Sequence, residues 1–136
     1  MREIKFRVWD TLAKRFIYPD KGYQGHYVLS LNGKFHNLQN GSGGDECVVQ
    51  QFTGEYDKNK KEIYEGDIVK YYRLLERERK IESFISFVRY EDAKFGFDLT
   101  GFNEMFYELG HELNIEVVGN IFENRKLLTE NPELLK

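Results

Sequence analysis

The run Lys70-Tyr71-Tyr72-Arg73, with Arg77, Arg79 and Lys80 just beyond it, interleaves cations with aromatic rings. On a small β-barrel such a pattern joins phosphate contacts to base stacking, which is the chemistry of single-strand nucleic-acid binding. Glu76, Glu78 and Glu82 dilute the charge, and tyrosines that alternate along a strand are commonly half buried, so the same run also reads as an ordinary strand with a solvated end. Asp57-Lys58-Asn59 begins like a calcium loop. It does not continue as one, because Lys61 stands at the fifth position, Glu62 replaces the glycine of the sixth, and Ile68 replaces the bidentate glutamate of the twelfth. None of His26, His36 and His111 is within metal-ligand spacing of another histidine or of Cys47. Asn40-Gly41-Ser42-Gly43-Gly44 lacks the Lys-Ser or Lys-Thr of a phosphate loop, G-x-G-x-x-G fails at Glu46, and the next residues read as strand. No serine lies in a G-x-S-x-G elbow, and Cys47 within a strand reads as a small buried hydrophobe. Glu62 and Glu65 flank turns where Lys58, Lys60 and Lys61 offer salt bridges. No catalytic, cofactor or metal residue is assigned, and a site assembled only by folding stays open.

The elements that must position these residues centre on 51–72. Strand-like pieces ending at Thr53 and starting at Ile68 flank a dense set of turn residues, Gly54, Asp57, Asn59, Gly66 and Asp67. Asp and Asn side chains and the missing Cβ of Gly let the backbone reverse there, while Ile63, Tyr64, Ile68 and Val69 supply sheet surface. Asp57 and Asp67 are expected to cap turns by accepting backbone N–H bonds. Upstream, Ile4, Phe6 and Val8 alternate with Lys5 and Arg7, the period of a half-buried strand, and 15–18 can return after a turn at 10–14. Trp9 reads as packing and Asp10 as a turn cap. Residues 18–27, punctuated by Pro19, Gly22 and Gly25, read as a loop, and 40–44 as a flexible connection. Between them a hairpin of 27–31 and 34–38 is expected around Asn32-Gly33, a pair suited to a type I′ turn. Downstream, 73–80 reads as a short helix or an exposed loop. Residues 81–90 and 94–99 form a third hairpin, Asn103 caps a helix over 104–109 that Gly110 closes, and 115–122 is a last strand. Residues 125–136 are weakly helical before Pro132.

Composition sets the class. A chain of 136 residues carrying 11 Phe, 9 Tyr and one Trp can bury a real core as one domain. Its net charge of −3 gives no global attraction to nucleic acid or to an anionic membrane, so any such contact must be a local patch. One cysteine excludes an internal disulfide, and the opening residues lack the apolar run of a signal peptide or membrane helix. The expected location is the bacterial cytoplasm.

Gln51, Thr53, Gly54, Asp57, Lys58 and Asn59, followed by Lys61-Glu62-Ile63-Tyr64-Glu65-Gly66-Asp67-Ile68-Val69, resemble the signature of the YopX family of phage and prophage proteins. Residues 1–7 with Trp9-Asp10, and Glu116-Val117-Val118-Gly119-Asn120-Ile121-Phe122-Glu123-Asn124, are similar to the two ends of that family in the same order. Departures are local: Lys60 where the family has Gly, Glu55 near a family Leu, and Arg125 where a Pro follows the final Asn. Lys60 must then accept a left-handed conformation at about 1–2 kcal/mol or change the turn. The resemblance implies a phage origin and carries over no catalytic residue.

The expected architecture is a single, mainly β domain over 1–136: N-terminal hairpins in 1–46, a central framework in 47–124 and a tail in 125–136. Its hairpins form a partly barrel-like, SH3-like sheet core with one or two short helices near the C-terminus. The expected function is that of a phage accessory protein that binds a phage or host protein, itself included as a homo-oligomer, without catalysis or cofactor. The alternatives are a nucleic-acid-binding barrel and, after it, an enzyme.

Overall fold

The computed structural model describes residues 3–18, 27–37, 46–75, 77–91, 93–98, 106–108 and 114–129. Their fold is mainly β, with a curled half-barrel sheet and a short C-terminal helix. The chain divides into two compact units, Met1–Phe52 and Thr53–Lys136.

In the first unit β1 (Phe6–Asp10) pairs antiparallel with β2 (Arg15–Ile17) on one side and with the start of β5 (Cys47–Tyr56) on the other. The hairpin turns where the sequence predicts. Asp10 Oδ1 accepts the N–H groups of Leu12 and Ala13 at 2.9 and 3.0 Å, and Trp9 is buried edge-on against Phe16 at 4.9 Å. The expected alternation is not kept: Arg7, Val8 and Trp9 are all buried, whereas Ile4 is 59% exposed. A strand paired on both edges and covered on both faces has no polar side, so its period-2 contrast disappears. Arg7 meets the demand of burial by placing its guanidinium 4.3 Å from the Phe16 ring centroid and donating from Nε to Gln50 Oε1 at 2.9 Å.

Cys47 is half-buried at the start of β5, and desolvation, reinforced by the carboxylates of Asp10 and Glu46, raises its thiol pKa. Because the thiolate is the nucleophile, Cys47 is expected to alkylate more slowly than a free thiol at neutral pH, with a rate still climbing above the ordinary thiol range. Iodoacetamide kinetics against pH check this, and Glu46→Gln should move the curve to lower pH.

β3 (Tyr27–Leu29) and β4 (Phe35–Asn37) form the second hairpin, but its turn is not the two-residue type I′ turn expected. Ser30 N–H bonds to Lys34 O and Gly33 N–H to Ser30 O, and within the loop Gly33 has positive φ while Asn32 does not. That is a three-residue loop, a type I turn closed by a left-handed residue. The loops expected at 18–27 and 40–44, with His26, fall outside the described residues apart from their edges.

The second unit opens with the end of β5, paired to β6 (Glu62–Tyr64). Next come β7 (Asp67–Leu75), β8 (Lys80–Phe87), β9 (Arg89–Glu91), β10 (Lys94–Asp98), β11 (Phe106–Glu108), β12 (Ile115–Asn120) and α1 (Lys126–Thr129). Two antiparallel sheets result, ordered β12-β7-β8 and β11-β10-β9. One core joins them: Ile63, Val69, Tyr71, Val88, Phe97, Ile115 and Val117 are buried together, with Phe84 packed against them. Ser86, opposite Val69, is fully buried, and its hydroxyl has no hydrogen-bond partner among the described residues.

Three expectations are corrected here. Residues 73–80 are neither helix nor loop throughout, because β7 runs on to Leu75 and meets β8 across a tight turn. Residues 81–90 are not one arm of a single hairpin: the strand is interrupted at Val88, so β8 pairs with β7 and only β9 pairs with β10. The helix expected over 104–109 is overridden where the structure describes it, since Phe106–Glu108 is a strand paired to β10. Aromatic residues beside an available strand edge gain more from the ladder than from a local helical turn.

The turn joining β5 to β6 repeats the geometry of the β3–β4 turn. Asp57 N–H bonds to Lys61 O and Lys60 N–H to Asp57 O, and Lys60 takes the left-handed place that Gly33 fills in the other loop, with φ of 65°. Lys60→Gly should therefore raise stability by about 0.5–1 kcal/mol, the left-handed penalty less the entropy of a freer unfolded chain. A shift of the urea midpoint to higher concentration is the check.

A tyrosine held between two lysines on the central sheet

Strand alternation sends successive β7 side chains to opposite faces. Val69 and Tyr71 face the core, where the Tyr71 ring lies 5.3 Å from Phe84 and 5.1 Å from Phe97. Lys70 and Tyr72 occupy the other face and are half-buried. The Nζ of Lys58 stands 4.7 Å from the Tyr72 ring centroid and that of Lys70 5.8 Å from it. Glu116, opposite Lys70 in the β12–β7 register, lies 3.6 Å from Lys58 Nζ through Oε2. Each cation–π contact contributes about 0.5–1 kcal/mol at such exposure and the ion pair less than about 1 kcal/mol, so the cluster orients Tyr72 more than it stabilises the fold.

The β5–β6 turn places Lys58 there. Asp57 is buried, and its Oδ1 accepts Asn59 N–H at 2.8 Å and Lys61 N–H at 2.9 Å while Oδ2 accepts Val117 N–H at 3.0 Å. Lys58 N–H bonds to Ile115 O at 2.9 Å. The turn is thus docked on β12. The second turn is built similarly: Asp67 Oδ2 accepts Tyr64 N–H at 2.8 Å, and Gly66, with φ of 85°, donates to Val88 O and accepts from Ile121 N–H. Gly54 also has positive φ, within β5.

The basic and aromatic residues singled out from the sequence are therefore not one patch. Tyr71 leaves it, since a ring 4% exposed in the core offers no face to a base. Arg73 continues β7 opposite Glu82. Arg77, Arg79 and Lys80 are exposed around the β7–β8 turn, five or more residues beyond Lys70, or roughly 17 Å at about 3.3 Å per residue. What folding adds to Lys70 and Tyr72 is Lys58 and Glu116. The sequence signals for them were faint: a turn lysine with several acidic neighbours, and a polar place in the last strand. Of the histidines, His36 is exposed in β4, and His111 lies outside the described residues.

Among the described residues no group of three or more His, Cys, Asp and Glu side chains is gathered for a metal ion, and no helix is long and apolar enough to cross a membrane. The family model described as YopX protein matches residues 5–129. Among solved structures the chain is similar to protein EF1440 from Enterococcus faecalis, at 26% identity and a TM-score of 0.57 over 94% of this chain and 99% of that one. It has the fold of protein yopX from Bacillus subtilis, at 21% identity and a TM-score of 0.62 over 94% of this chain and 97% of that one. A search of the curated proteins finds no match.

Proposed function

The chain belongs to the YopX family, and from that footing we propose that it is a phage or prophage accessory protein of the bacterial cytoplasm that acts by binding a protein, without catalysis. The observation that carries this reading is the Tyr72 cluster. A half-buried tyrosine held by Lys58 and Lys70, with Glu116 balancing part of their charge, is an aromatic anchor inside a polar rim. Tyrosine is enriched where protein interfaces draw their energy, and aromatic anchors ringed by polar groups are their common anatomy. A phosphate backbone is served less well, because Glu116 already pairs with the Lys58 ammonium, which itself stands over the Tyr72 ring.

The test is to recover the tagged protein from host cells carrying the phage, as wild type and as Tyr72→Asp, with circular dichroism to confirm that both are folded. A protein that accompanies the wild type and is lost from Tyr72→Asp supports the reading. Retention of every partner by the variant overturns it.

One observation favours nucleic acid instead: the exposed Arg77, Arg79 and Lys80 sit at the end of a two-stranded ribbon, a shape that a DNA major groove admits. If that ribbon binds nucleic acid, affinity for an oligonucleotide must fall steeply with salt as counterions are released. The expected result, given the interspersed glutamates, is no measurable binding near 0.1 M salt in fluorescence anisotropy.

A further inference from the structure

The two edges of the β12-β7-β8 sheet are not equivalent. On the β12 edge, the outward backbone groups of Ile115 and Val117 are already engaged, the carbonyl by Lys58 N–H and the amide by the Asp57 carboxylate. A further strand cannot pair there without dislodging the β5–β6 turn. β8 is the other edge among the described residues. The bond from Val88 N–H to Asp67 O sets the phase of the β7–β8 ladder, whose register runs without a break from Ile68↔Phe87 to Leu75↔Lys80. Antiparallel alternation then turns the backbone groups of Ile81 and Ser83 away from β7. β12 reaches only as far as Tyr71, so among the described residues the pairs from Tyr72↔Ser83 outward form a two-stranded ribbon beyond it. Ile81 lies on that ribbon 69% exposed.

We propose that β8 is a pairing edge for a second copy of this chain, the two β8 strands running antiparallel about Ile81. This deepens the protein-binding reading and rests on it. The sequence around Ile81 is what selects a second copy. Lys80-Ile81-Glu82 reversed against itself sets Ile81 opposite Ile81 and each Lys80 opposite the Glu82 of the other copy, with no like charges facing. Opposite charges directly across a ladder stabilise it and like charges oppose it. The pairing is isologous and closes as a dimer rather than growing a fibre. It extends the sheet through six strands, with both Tyr72 clusters on a common surface roughly 20 Å apart, from about 4.8 Å per strand and 3.3 Å per residue.

Charge exchange tests this on the full-length protein. Sedimentation equilibrium over a wide concentration range should show a dimer for the wild type, and roughly tenfold weaker association for Lys80→Glu and for Glu82→Lys alone, since each sets two like pairs across the ladder. An equimolar mixture of the two variants should regain wild-type affinity, because the heterodimer restores both opposite pairs. In a Cys47→Ser background, Ile81→Cys should oxidise to a covalent dimer, the roughly 5.5 Å between Cα atoms of a hydrogen-bonded pair lying within disulfide range. Tyr56→Cys, at an exposed position away from β8, should not. A monomer at all concentrations, or a dimer indifferent to both charge reversals, overturns the proposal. A dimer lost in Tyr72→Asp but intact in Lys80→Glu places self-association on the Tyr72 face, overturning the edge pairing while leaving the protein-binding reading in force.

Discussion

Asp57→Ala should lower the stability of the second unit by about 3 kcal/mol, well above the roughly 1 kcal/mol of a surface turn cap. The difference lies in what the carboxylate holds. Two of its three bonds, to Asn59 and Lys61, close its own turn, and water can replace them in part. The third reaches Val117, sixty residues away in β12, where the amide is buried. Removing the acceptor leaves that N–H without a partner in an apolar setting, and it loses a charge-assisted bond as well. Asp57→Asn keeps the shape but has one oxygen for two directions, so either the turn or β12 meets an NH2 group. It should fall between wild type and Asp57→Ala. Denaturant titration gives the sizes, and amide exchange at Val117 should accelerate in both variants. Wild-type midpoints in both would show that β12 is held by its ladder with β7 alone.

Gly119→Ala is expected to cost about 2 kcal/mol, although φ at Gly119 is not positive and alanine suits the backbone. The obstacle is the Asn124 side chain. A Cβ at position 119 would lie 2.5 Å from Asn124 Oδ1, 2.6 Å from its Cγ and 2.7 Å from its Cβ. Asn124 cannot withdraw freely, because its Oδ1 accepts Asn120 N–H at 3.1 Å and its own N–H bonds to Asn120 O. Asn120 in turn accepts Phe122 and Glu123 N–H through Oδ1 and donates from Nδ2 to Glu123 Oε1. The segment from Gly119 to Asn124 is one interlocked turn that carries β12 into α1. Asn124→Gly removes the obstructing side chain together with its bond. The pair Gly119→Ala/Asn124→Gly should therefore be more stable than the two single losses predict when added, which a double-mutant cycle in urea measures. Strict additivity would show that the contact at Gly119 is relieved elsewhere.

Asp57 and Gly119 are far apart in sequence, yet both act on β12, one on its outer edge and one at its exit.

The sequence by itself determined where the local reversals fall, though not the type of the β3–β4 turn. Asp10, Asp57 and Asp67 read as turn caps from side-chain chemistry that acts within a few residues, and each carboxylate accepts such local bonds. For Lys60 the resemblance left two outcomes, a left-handed residue or a changed turn, and the structure has the first. Reading Tyr71 and Tyr72 into one patch overlooked that neighbours on a strand face opposite ways, and a strand's own sequence does not say which face will be covered. Packing of β10, through Phe97, made Tyr71 core and left Tyr72 to Lys58 and Glu116. Only the tertiary structure joined β8 to β7 instead of β10, extended the strand over 73–75, and turned 106–108 into strand against local helix signals. Only it buried Arg7, which the alternation had turned outward. In each of these cases the deciding free energy comes from surfaces brought together across tens of residues, and no local window contains both partners.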